Sequence, residues 1–183
     1  MTPEKSLQII AEMIADTREK YHHHSFFFLL WGWIVALGGL LHYVLEVHTT
    51  FAHPYYAWGL VIIGIIVSAV QGFRMSKRSK YKSHLERVIM FMWIGFGVSY
   101  FVLIFHMPKI NYQITPVIFL LAAMATFTSG IVLKFRPMIY GALFMWVMAF
   151  VQFYLPYQHQ LLSIAITIAV GYLIPGYLLR AKK

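Results

Sequence analysis

Six apolar stretches begin near Ser25, Ala57, Val88, Ile114, Met138 and Leu161, and the only Asp, Glu, Lys or Arg inside any of them is Glu46, at the far end of the first. Each runs for roughly the 20 residues that an α-helix needs to cross the hydrocarbon of a bilayer. Hydrocarbon offers no partner to a backbone N–H or C=O, so such a segment satisfies its backbone internally, as a helix. Composition points the same way: 60% of the 183 residues are hydrophobic and 11% charged, where a soluble domain carries roughly 25% charged residues. The predicted fold is all-α, a polytopic membrane protein of six transmembrane helices at about 25–47, 57–73, 88–106, 114–133, 138–156 and 161–179. They read as three successive hairpins, with residues 25–183 forming the bundle and residues 1–24 a cytoplasmic amphipathic helix before it.

The net charge of +9 does not indicate nucleic acid, because the bases sit beside the apolar stretches and do not line a soluble surface. Lys5, Arg18 and Lys20 precede the first span, and Arg74, Lys77, Arg78, Lys80, Lys82 and Arg87 lie between the second and third. Lys134 and Arg136 lie between the fourth and fifth, and Arg180, Lys182 and Lys183 follow the sixth. Of the 15 bases only Lys109 falls in another connection. Positive charge is retained on the cytoplasmic side, so both termini are expected there. The first stretch follows a segment with four acids and shows no Ala-x-Ala pattern, which predicts a retained span and not a cleaved signal peptide. No cysteine is present, which excludes disulfides and Cys-based metal or redox sites.

Thr2-Pro3-Glu4 reads as a helix start. Leu7, Ile10, Ile14, Thr17 and Tyr21 then recur at spacings of three and four, with Glu12, Asp16 and Glu19 elsewhere on the circumference. A helix lying on anionic lipid carries Lys and Arg on its polar face. This one carries four acids against three bases, so it is expected to pack on protein. Leu7, Ile10 and Ile14 are the candidate docking residues, for the chain's own basic loop, a second copy or a cytoplasmic protein.

Small residues recur at every fourth position in two spans, as Gly64, Ser68 and Gly72 and as Ala122, Thr126 and Gly130. Such stripes let helix backbones approach closely where no hydrophobic force drives association. Trp33, Trp93 and Trp146 mark the odd spans, and Gly72, Gly130 and Gly176 the even ones, each glycine followed six positions on by a base. This suggests a loose threefold repeat, of a kind that occurs in transporters.

Nine histidines are present, and His42, His48, His53, His106 and His159 fall at or near the expected outer ends of spans, with Glu46 one turn after His42. Imidazole and carboxylate are ligands that transition metals accept. A site built from His42, Glu46, His106 and His159 is therefore allowed, although no spacing demands it. The sequence requires no cofactor. Uncharged polar groups inside the spans are few, and Gln71, Ser99, Ser129 and Gln152 are the candidates to line a pathway or pocket. The near absence of intramembrane charge speaks against a proton-coupled pump. Pro175 frees a backbone carbonyl within the last span and is read as a kink. No nucleophile elbow, phosphate loop or zinc-protease motif appears, which disfavours an enzyme.

The stretch His24-Ser25-Phe26-Phe27-Phe28-Leu29-Leu30-Trp31-Gly32-Trp33, after an amphipathic helix, resembles a group of small six-span bacterial inner-membrane proteins of uncharacterised function. The resemblance covers the N-terminal helix and first span. It implies a bacterial cytoplasmic membrane and carries no activity. The expected function leans to a transporter or channel for a small solute. The alternatives are a sensor or scaffold that docks a cytoplasmic partner or self-associates, and a metal-binding membrane protein using the outer histidines.

Overall fold

In a computed structural model of the chain the backbone is described for residues 3–78 and 84–181, and the side chains for 24–74 and 87–181. Every regular element among them is helical. Helix α1 is Pro3–His48, and a 3-10 turn, Pro54–Gly59, leads into α2, Leu60–Arg78. Helix α3 is His84–Phe105, a second 3-10 turn, Met107–Ile110, precedes α4, Ile114–Val132, and α5 is Arg136–Gln152. The last span runs through α6, Tyr157–Ile168, a π turn, Ala169–Leu173, and α7, Ile174–Ala181.

Five segments are long and apolar enough to cross a membrane: His24–His48, Pro54–Arg74, Arg87–Phe105, Ile114–Val132 and Tyr157–Ala181. Helix α5 has 17 residues and so rises about 26 Å, the lower end of what covers a bilayer core. It stops at Gln152, short of the expected 156, and the last span begins at Tyr157, ahead of the expected 161. Pro156 is the cause. Its backbone is extended, with ψ at 149°, and its carbonyl accepts the Gln160 N–H to open the new helix. The amphipathic segment and first span also prove to be one uninterrupted helix, 46 residues long. The side chains of Leu7, Ile10 and Ile14 lie outside the described residues.

The packing is uneven. Of the apolar stretches in α1, α4 and the last span, 39%, 44% and 50% is buried, against 11% for α2 and 6% for α3. The core is therefore α1, α4, α5 and the last span, with α2 and α3 laid on its outside. Helix α1 runs antiparallel to the last span, with Gly39 against Ile164, Gly32 against Leu173 and Gly176 against Leu29. Helix α2 lies on α1, where Gly64 faces Ile34 and Trp31, and Trp31 Nε1 donates to Ser68 Oγ at 3.1 Å. Gly72, in the same stripe, has no neighbour within 4 Å among the described residues. In α4, Ala122 and Thr126 are buried and Gly130 meets Ile139 of α5. Helix α3 is pinned by Trp93, whose ring packs edge-on against Phe28 of α1 and Tyr172 of the π turn.

Pro175 has no N–H, and its ring crowds the carbonyl four residues back. That carbonyl belongs to Gly171, and the helix there widens into the π turn. Gly171 in turn lets α5 come very close. A Cβ on Gly141 would stand 2.9 Å from the Gly171 carbonyl oxygen and 3.2 Å from its Cα. Those are backbone atoms that cannot rotate aside, so Gly141→Ala is expected to cost about 1–3 kcal/mol, read as a lower thermal midpoint in detergent. Gly95→Ala on α3, with nothing within 4 Å, should leave the midpoint unchanged or raise it slightly, since Ala is the better helix former.

Candidate functional site

Helix α6 carries Gln160, Ser163 and Thr167 on one face, and all three are buried. Polar groups in such a place must find partners within the protein. Ser163 Oγ donates to the Gln160 carbonyl at 2.8 Å, and Thr167 Oγ1 to the Ser163 carbonyl at 2.8 Å. Back-bonding of this kind keeps a hydroxyl satisfied without leaving the helix. With its one proton committed, Ser163 accepts the Gln152 Nε2 amide of α5 at 2.9 Å. That sets the orientation of the Gln152 amide: nitrogen toward Ser163, oxygen away. Gln152 is fully buried and its Oε1 has no partner among the described residues.

The polar groups continue in both directions. Toward the end of the bundle where α1 stops, here the distal end, Gln160 Nε2 donates to Gln113 Oε1 at 3.0 Å and to the Leu155 carbonyl at 3.0 Å. Deeper in, Thr126 of α4 is fully buried, and its Oγ1 lies beside the Tyr172 hydroxyl but outside hydrogen-bonding geometry. Ser129 donates to the Ala125 carbonyl at 2.8 Å and accepts Trp93 Nε1 at 3.3 Å. The result is a polar seam between α4, α5 and the last span, running from Gln113 to Ser129 and, among the described residues, holding no carboxylate, imidazole or basic group. An acceptor buried without a partner costs about 1–3 kcal/mol.

A second cluster stands at the distal end. His42, buried to 4% exposure, accepts Trp58 Nε1 at its Nδ1 across 2.9 Å. Its Nε2 is 3.4 Å from the Tyr157 hydroxyl and 4.0 Å from Glu46 Oε2. An indole N–H only donates, so Nδ1 carries a lone pair and the imidazole proton sits on Nε2. While the Trp58 bond holds, Nε2 has no lone pair to offer a metal ion.

Of the residues singled out in the sequence, the structure brings some together and leaves others apart. His42 and Glu46 are paired, but His106 Nδ1 donates to the Val102 carbonyl at 2.8 Å on exposed α3, and His159 is exposed on α6. Among the described residues no three His, Cys, Asp or Glu gather closely enough to hold one ion. Ser129 and Gln152 share the seam. Ser99 donates to the Gly95 carbonyl on its own helix at 2.9 Å, and Gln71 lies on α2. The seam also contains Gln113, Gln160 and Ser163, which the sequence reading passed over. Their signal was present, since Gln160, Ser163 and Thr167 recur at helical spacing, but Gln160 fell outside the span as drawn from Leu161. In comparisons with protein-family models, curated proteins and solved structures, nothing matches this chain.

Two substitutions should move stability in opposite senses. Ser163→Ala strands the buried Gln152 N–H and is expected to lower stability by about 1–3 kcal/mol. Gln152→Leu removes the unpaired oxygen at similar volume, and Ser163 keeps its bond to the Gln160 carbonyl. Its thermal midpoint should equal or exceed that of the native chain.

Proposed function

We propose that the chain is a small integral membrane protein that takes up an uncharged, hydrogen-bonding solute along the seam between α4, α5 and the last span, as a transporter or channel. Six crossings in three sequential hairpins, with both termini cytoplasmic in a bacterial inner membrane, complete this reading. The observation that carries it is Gln152 Oε1, an unpaired acceptor kept at a fully buried position where Leu would fill the same space. A solute N–H or O–H supplies the missing bond. The neutral lining favours an uncharged solute, because an ion would give up its hydration for no opposite charge. The π turn beside Thr126 fits the same picture, since such turns gather at functional sites.

Reconstituted in proteoliposomes and followed by stopped-flow light scattering, the protein is expected to raise permeability to at least one of water, urea and glycerol above that of empty vesicles. Gln152→Leu should remove about tenfold of that increase, the worth of one hydrogen bond, while remaining folded. No increase for any of the three solutes overturns the reading.

A sensor or scaffold is the second reading, and one observation favours it: α1 continues without a break from Pro3 to His48, joining the acidic amphipathic segment to the distal cluster. Removing residues 1–20 is then expected to abolish co-purification of a cytoplasmic partner while membrane insertion persists. Retained co-purification argues against a docking role for Leu7, Ile10 and Ile14.

A further inference from the structure

The cluster at the distal end ties three parts of the chain together through one imidazole. His42 belongs to α1, Trp58 to the turn that leads into α2, and Tyr157 to the first residue of α6. The rings meet edge-on, His42 to Trp58 at 6.3 Å and His42 to Tyr157 at 6.1 Å between centroids. Trp58 also lies over Gly38 of α1, where an added Cβ would come within 3.3 Å of the indole. Beyond this ring the attachment of α2 to the core is thin, because its apolar stretch is 11% buried.

We propose that His42 is an acid-sensitive latch: neutral, it accepts the Trp58 N–H and holds the Pro54–Gly59 turn on α1; protonated, it releases that turn. The reason is donor and acceptor bookkeeping. The imidazolium carries a proton on both nitrogens and accepts nothing, while the indole of Trp58 can only donate. Two N–H groups cannot face each other across 2.9 Å, so the bond is lost when Nδ1 takes a proton. The ionisable groups that face His42 are Glu46 from its own helix and Tyr157 from α6; the turn contributes Trp58, which does not titrate. Glu46 Oε2 lies 4.0 Å from Nε2, the nitrogen that already carries the N–H, and its carboxylate attracts the ring once Nδ1 is protonated. The latch stands at the same end of the bundle as Gln113 and Gln160, yet it does not depend on solute passage, and its test uses no flux.

The test is nuclear magnetic resonance of the full chain in lipid nanodiscs with ¹⁵N-indole labelling. Trp58→Phe identifies the Trp58 Nε1–H resonance. Titrated from about pH 8 to about pH 5, where imidazole changes charge, that resonance should move in a single transition from a bonded to an unbonded position. His42→Asn keeps an acceptor in place of Nδ1 and does not titrate in this range, so its resonance should stay bonded throughout. A native resonance that does not move overturns the proposal even if the variant fails to fold. A transition that survives in His42→Asn or His42→Gln overturns it as well.

Discussion

Hydrocarbon neither accepts nor donates a hydrogen bond, and most features of this structure answer to that constraint. It forces the backbone into helices and turns every buried side-chain polar atom into a problem with a local solution. Ser129, Ser163 and Thr167 solve it by donating to a carbonyl on their own helix. Pro175 cannot, and the helix before it opens into a π turn. Among the described residues two buried side-chain atoms lack a partner, Thr126 Oγ1 and Gln152 Oε1, and in Gln152 the bond from its nitrogen to Ser163 fixes the oxygen as the end left over.

The same medium removes the usual reason for helices to associate, since lipid tails are as apolar as the side chains. What remains is close approach, and the glycines show where it happens. Gly141 and Gly171 bring α5 and the last span nearly backbone to backbone, and Gly32, Gly39 and Gly176 do similar work between the last span and α1. Gly95 and Gly97 on α3 meet no described residue within 4 Å. The contrast accompanies a core of α1, α4, α5 and the last span, while the described contacts of α2 and α3 centre on Gly64 against Ile34 and on two indole bonds, Trp31 to Ser68 and Trp93 to Ser129.

How much of this was legible in the sequence depended on whether the signal was periodic. Apolar length placed the helices, and small residues at fourfold spacing marked contact faces at Gly64, Ser68, Ala122, Thr126 and Gly130. The same spacing placed Gly72 among them, and there no described residue comes within 4 Å. The seam was half visible. Ser129 and Gln152 were readable as rare polar groups, whereas Gln160 was hidden by a helix boundary that Pro156 moved by four residues. The bond from Trp58 to His42 was not legible at all, since it depends on a 3-10 turn that folds the connection back onto α1.

The unbroken length of α1 has a mechanical side. At 1.5 Å rise per residue its 46 residues make a rod of about 69 Å. Its contacts with the last span, at Leu29, Gly32 and Gly39, are spread along the half that ends at His48. The 26 residues from Pro3 up to Leu29 therefore project about 39 Å beyond the first of those contacts.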